Sequence, residues 1–336
     1  MALRYILRRL GFLVLVIWAA ATLCFILPHL TGRDPIREQI TQRIATMGLS
    51  GDAAQAMIDA HKRVFGLDQP LWKQYTIYVR NMLRFDLGYS ISNYPKPVIE
   101  IIQESLGWTV RLVGMATILA FLLGTILGAL IGWKKSPKFL NLLVPPLMIF
   151  SAAPPFVLAL VLIYFLAFRA KIFPLGRAFG QYTKVDWSSL KFWLDYAYHA
   201  MLPAFSLILV SLGTWGLGMR AMMVTVEGAD YMTFGEEKGL KGVRLFFSYG
   251  LRSALLPQIT GLAIQMGAIV SGSALVEVYF QYPGLGTRLN MAIQTFDYYT
   301  IYGIVFFVVC GIALATLLVD LIYPLLDPRI SYSKGT

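Results

Sequence analysis

The sequence predicts an all-α, polytopic membrane protein of about six transmembrane helices, with an external, partly helical insertion after the first. Three observations carry this. Hydrophobic residues make up 57% of the 336 residues and charged ones only 14%, against about 25% charged in soluble domains. The mean hydropathy is +0.64. Apolar runs long enough to cross a hydrocarbon core recur along the chain, and lysines and arginines gather at their ends. The net charge of +11 sits in short membrane flanks and one external loop, not along one polar face, which argues against a nucleic-acid partner and for a lipid bilayer.

The expected spans lie near Leu10–Leu30, Thr109–Trp133, Phe139–Phe168, Met201–Met222, Pro257–Phe280 and Tyr302–Leu325. The first follows Arg4, Arg8 and Arg9, and its apolar run continues past Ala19-Ala20-Ala21 to Leu30, so it reads as a retained anchor and not a cleaved leader. Residues 31–106 mix aromatics with charges, as in Trp72-Lys73-Gln74-Tyr75, and form the external insertion. Residues 107–336 form the core, with a polar loop at 223–256. Pro145-Pro146 and Pro154-Pro155 interrupt the third span, predicting one kinked helix or two half-helices. The basic flanks Lys134-Lys135, Lys138, Arg220, Lys238, Lys241, Arg244, Arg252, Arg329 and Lys334 place both termini in the cytoplasm. Arg169, Lys171, Arg177, Lys184 and Lys191 then fall in an external loop and count against that orientation.

Gly124, Gly128 and Gly132 bare one helix face for close approach of a neighbour, within one subunit or between two. Arg111, Glu277 and Asp320 lie near span ends, where snorkelling or helix-end pairing accommodates them. Cys24 and Cys310 fall in apolar runs and read as small core hydrophobes. The three histidines, His29, His61 and His199, are scattered and suggest no catalytic or metal centre.

The polar loop holds the most specific signal. Asp230 can cap a short helix in which Tyr231, Phe234, Gly235 and Lys238 follow i, i+3, i+4, i+7 spacing, and Gly239 can adopt the left-handed conformation that ends it. A helix of about two turns is too short to stand alone in water and must dock on something. Leu240 to Leu256 reads as a second helix returning to the bilayer, with Pro257 opening the fifth span.

From Asp230 to Gly239, with Pro257 eighteen positions later, the chain resembles the permease subunits of binding-protein-dependent ABC importers, and is similar to the B-type subunit of the dipeptide/oligopeptide permease family. The resemblance runs along nearly the whole chain. It is carried by Arg8-Arg9-Leu10, Pro28, Asp34-Pro35, Gly66-Leu67-Asp68-Gln69-Pro70, Asp86-Leu87-Gly88, Phe173-Pro174, His199, Leu202-Pro203, Tyr282-Pro283-Gly284-Leu285-Gly286, Asp297-Tyr298, Leu318-Val319-Asp320 and Asp327-Pro328-Arg329. It implies the type I ABC importer permease fold in a prokaryotic plasma membrane. It also implies a heterodimer with a homologous second permease, two cytoplasmic ABC ATPase subunits and an external solute-binding protein. Glu227, Asp230, Tyr231, Phe234, Gly235, Glu236, Glu237, Lys238, Gly239, Leu240 and Pro257 then form the ATPase-coupling element.

No G-x-x-x-x-G-K-[ST] pattern occurs, so ATP and Mg belong to the partner subunits and this chain binds no cofactor and is no enzyme. Phe234-Gly235-Glu236-Glu237 departs from the family, which usually carries a basic residue and alanines there, and the two acids imply a partner groove of positive charge. Expected cargo is a dipeptide or oligopeptide, with oligosaccharide as the alternative. Trp215, Met219, Gln265, Ser271, Ser273 and Glu277 are the candidate lining of the pathway, mostly neutral side chains of the kind sugars favour, whereas peptides want charged or amide partners. A secondary transporter or channel is the remote alternative; it would want midplane coupling charges or a repeated pore motif, and the sequence offers neither convincingly.

Overall fold

The computed structural model describes residues 2–30, 59, 69–267 and 273–326. The helices named here are α1 Ala2–Leu30, α2 Leu71–Leu83, α3 Val98–Gly132, α4 Val144–Ala152, α5 Pro155–Leu162, α6 Leu190–Glu227, α7 Asp230–Glu237, α8 Gly242–Arg244, α9 Arg252–Gly267, α10 Ala274–Tyr279, α11 Leu285–Gln294 and α12 Tyr298–Leu326. Among the described residues there is no sheet, only an isolated bridge between Tyr89 and Pro97.

Among the described residues, four helical stretches, Tyr5–Ile26, Val98–Gly132, Leu190–Glu227 and Tyr298–Leu318, are long and apolar enough to cross a membrane, and a bent pair makes up to five. The fifth expected span appears as α9 and α10 on either side of residues 268–272, which lie outside the described set. Residues 31–68 of the insertion expected at 31–106, apart from residue 59, and the motif Asp327-Pro328-Arg329 lie outside it too. The second span starts well before its expected beginning. At 35 residues and 1.5 Å rise, α3 is about 52 Å long, so it overhangs a hydrocarbon core of about 30 Å.

The third span is two half-helices. Pro145 and Pro146 fall in the first turn of α4, where a missing N–H costs no hydrogen bond, so they start a helix and do not break one. The break comes at Ala153 and Pro154. The ring of Pro154 drives the residue before it out of the helical region, and both residues are extended, with ψ of 132° and 137°. The halves Lys138–Ala152 and Pro155–Arg169 are bent by 106°. Lys138 lies just beyond the carboxyl end of α3, and Ala167 shares a buried core with Leu112 and Val113 in the middle of that helix.

The chain divides into two compact units, Met1–Gly107 with Gly284–Leu317, and Trp108–Pro283 with Leu318–Thr336. The first is pinned by Asp297. Its carboxylate accepts from the Ser90 hydroxyl, from Ile91 N–H at 3.1 Å and Ser92 N–H at 3.3 Å. It also accepts from Thr300 N–H at 3.3 Å and Thr300 Oγ1 at 2.9 Å, which closes the start of α12. Cys24 and Cys310 are buried, free thiols, as small core residues would be.

In the second unit the glycine stripe of α3 lies directly on α6. A Cβ added to Gly124 would meet Trp215 Cβ at 2.7 Å, one on Gly128 would meet the Gly216 carbonyl oxygen at 2.1 Å, and one on Gly132 would meet Met223 Cβ at 2.7 Å. The stripe therefore serves packing within one chain. α4 approaches the other side of α6 equally closely, since a Cβ on Gly213 would lie 2.4 Å from the Leu147 carbonyl oxygen. Around Trp108 the loop before α6 folds into an aromatic cluster of Phe179, Trp187, Phe192, Tyr196 and Tyr282. The Arg111 guanidinium lies 4.0 Å from the Trp187 ring centroid, so this residue stacks instead of snorkelling.

Replacing Gly128 by Ala forces the two backbones apart and is expected to destabilise the protein by about 1–3 kcal/mol. Thermal melting of detergent-solubilised protein should show it, while Gly11→Ala, which has nothing within 4 Å, should melt like the parent.

Candidate functional site

The loop between α6 and α9 folds as the sequence pattern requires at its core. α7 runs from Asp230 to Glu237, and Gly239 has φ +74°. Leu240 N–H donates to the Gly235 carbonyl at 3.2 Å and Gly239 N–H to the Glu236 carbonyl at 2.9 Å. This pair of bonds, with the left-handed glycine between, is the Schellman stop. Leu240 supplies the hydrophobic contact that goes with it, its Cδ1 lying 3.5 Å from where a Gly235 Cβ would be.

The inward face of α7 is Met232 and Gly235, both buried. Leu245 Cδ1 comes within 3.0 Å of a Cβ on Gly235, so this position has no room for a side chain unless Leu245 moves. Of the four residues expected on one face, only Gly235 turns in. Tyr231 and Phe234 are exposed, and Lys238 Nζ lies 4.3 Å from the Phe234 ring centroid. The outer face is thus an aromatic pair with a cation over one ring.

Two expectations need correction. Ala229, in extended conformation, is the residue that enters the helix, and Asp230 occupies the first turn with no side-chain cap bond. Asp230 acts there through its charge at the positive helix end. Pro257 does not open a span. It lies inside α9, which continues from α8 through a π-helical turn at Leu245–Leu251.

Under α7 stands a small core of Ala129, Met219, Met223, Phe246 and Ala254, with Trp133 edge-on to Phe246 at 5.3 Å. It joins α3, α6 and α9 beneath the outer helix. Polar contacts add to it. Glu227 Oε1 accepts from Lys134 N–H at 2.7 Å, and Glu236 pairs with Lys135 at 2.8 Å. The hydrogen bond and charge of Lys135, with Lys134 behind it, hold the Glu236 carboxyl below its ordinary range. Glu236 is therefore answered by a lysine of its own chain, in a pair that is half exposed. Glu237 remains exposed. Sequence reasoning used Lys134 and Lys135 only as orientation markers; their pairing with residues about a hundred positions on leaves no local signal.

Four of the expected pathway residues are packed inside this chain. Trp215 and Met219 are buried against the glycine stripe, and Trp215 stands edge-on to Phe121 at 5.0 Å. Ser273 and Glu277 are buried, with Ser273 Oγ donating to Glu277 Oε1 at 3.3 Å. Gln265 is half-buried, and Ser271 lies outside the described residues. Neutral residues on an apolar helix serve packing and lining equally well, which is why composition could not separate them.

A polytopic helical membrane protein with a short, rigidly mounted, aromatic-faced helix between its spans has the form of a transport permease. The family described as binding-protein-dependent transport system inner membrane component matches residues 124–332, and the chain belongs to it. It is 30% identical over 348 residues to the dipeptide transport system permease protein DppB of Escherichia coli (strain K12), covering 99% of this chain and all of that protein. The probable D,D-dipeptide transport system permease protein DdpB of the same organism is 31% identical over 339 residues, 96% of each chain. The oligopeptide transport system permease protein AppB of Bacillus subtilis (strain 168) is 29% identical over 328 residues, 98% of this chain and 99% of that one.

Because Glu236 is held low, its pair with Lys135 is complete above the ordinary glutamate range and is lost only as pH falls through the lowered value. Isotope-edited infrared titration, with Glu236→Gln to identify the band, should find this carboxyl protonating below an unpaired glutamate. Lys135→Ala should return it to the ordinary range.

Proposed function

We propose that this chain is one membrane half of an ATP-driven importer for dipeptides or oligopeptides delivered by an external solute-binding protein. The observation that carries this is the full-length similarity to peptide permeases, together with an exposed Tyr231–Phe234 face on a helix that its own chain anchors from behind. The names of these relatives favour peptides over oligosaccharides.

In this reading α7 is the coupling helix. Two cytoplasmic ABC ATPase subunits bind and hydrolyse ATP with Mg, and one of them grips Tyr231, Phe234 and Lys238. A homologous second permease completes the pore in a prokaryotic plasma membrane. Both termini are cytoplasmic, residues 31–106 begin the external portion, and residues 107–336 form the core. Closure of the ATPases displaces α7 as a body, since its glycine stop and the Leu240 and Leu245 contacts leave it little freedom to bend. The displacement passes through Phe246, Met223 and Trp133 to three spans at once, which tilts them between inward-open and outward-open states.

The test is uptake of labelled peptide by the complete importer in proteoliposomes. Replacing both Tyr231 and Phe234 by Ala should lower ATPase stimulation and uptake by about tenfold or more, as loss of interface anchors does. Yield and melting of the isolated chain should stay unchanged, because both side chains point outward. Full uptake by the double variant would remove α7 from the coupling role.

A further inference from the structure

The helix α2 carries an exposed stripe beside the side that packs on α1. Tyr75, Tyr78 and Met82 form its inner side: Tyr75 OH shares a hydrogen bond with Thr22 Oγ1 at 2.8 Å, and Phe25 lies 5.3 Å from the Tyr75 ring and 5.4 Å from the Tyr78 ring. Beside this runs a second apolar stripe, Trp72, Thr76, Val79 and Leu83, at i, i+4, i+7, i+11, with Trp72 70% and Leu83 74% exposed. Lys73, Arg80 and Arg84 follow the same spacing on the next stripe round. Apolar anchor, adjoining apolar stripe and cationic stripe are thus arranged side by side.

The geometry points to α2 as an interfacial helix that rests on the lipid headgroup layer, with Trp72 and Leu83 at the acyl boundary and Lys73, Arg80 and Arg84 on anionic headgroups. Depth is the first argument. Thr22 and Phe25 belong to the last turns of the apolar span Tyr5–Ile26, so the inner side of α2 is tied to α1 at the edge of the hydrocarbon core. Charge is the second. A cationic stripe flanking an apolar one suits an anionic lipid surface. A tryptophan at that level fits the aromatic belt of membrane proteins. The surface is continuous with α1, few of whose span residues are buried among the described residues.

The test uses the full-length chain with an environment-sensitive fluorophore on Thr76→Cys, reconstituted in anionic vesicles with and without brominated lipid. Cys24 and Cys310 are buried, which favours labelling at the new site. Blue-shifted emission quenched by brominated lipid is expected at position 76. No quenching is expected at Tyr182→Cys, a loop site that is 95% exposed. Neutral vesicles, or the combined Lys73→Gln, Arg80→Gln and Arg84→Gln variant, should lose most of the quenching. Emission from position 76 that stays water-like in every vesicle would overturn the proposal. So would shielding seen only after the solute-binding protein or a second permease is added, which would make the stripe a protein interface. Peptide uptake is read separately, so its failure would bear on the importer reading and not on this one.

Discussion

The contact of backbone on backbone between α3 and α6 is the constraint on which the second unit depends. Lipid offers no hydrophobic drive for helix association, so close van der Waals approach must supply it. The three glycines at four-residue spacing let α3 come within reach of Gly216 and its neighbours. That approach buries Trp215, Met219 and Met223. Met219 and Met223 then form the floor on which Phe246 and Trp133 pack.

Above that floor, α7 depends on small residues for a different reason. Gly239 supplies a positive φ, and Gly235 supplies space for Leu245. A short helix would fray in water. Here its last turn is closed by two backbone hydrogen bonds, and its inner face is sealed by leucines from the following turn. Conformational entropy is therefore spent during folding of this chain and not at the moment a partner arrives, which is how a preorganised surface gains affinity.

The features legible in the sequence were those set by local chemistry. The extent of α7, its glycine stop and the break at Pro154 all follow from restrictions on one or two residues. The start of α3 was missed because Val98–Gly107 continues the helix in a more polar register that hydropathy does not register as span. Pairings across long separations were also illegible. Nothing near Glu236 announces Lys135, and nothing near Trp215 tells a packing tryptophan from one that lines a path. Those assignments depend on which helix becomes a neighbour, and one sequence does not carry that.

The knot around Asp297 bears on the order of biosynthesis. Ser90 and the carboxylate that receives its hydroxyl are 207 residues apart, a distance a ribosome covers in about 10–40 s. For that interval the N–H groups of Ile91 and Ser92 have no carboxylate to meet, and bare amides are costly in hydrocarbon. The stretch must wait in water while the helices from α3 to α11 are made. Only when Asp297 emerges, at the head of the last long helix, can the amino-terminal unit close.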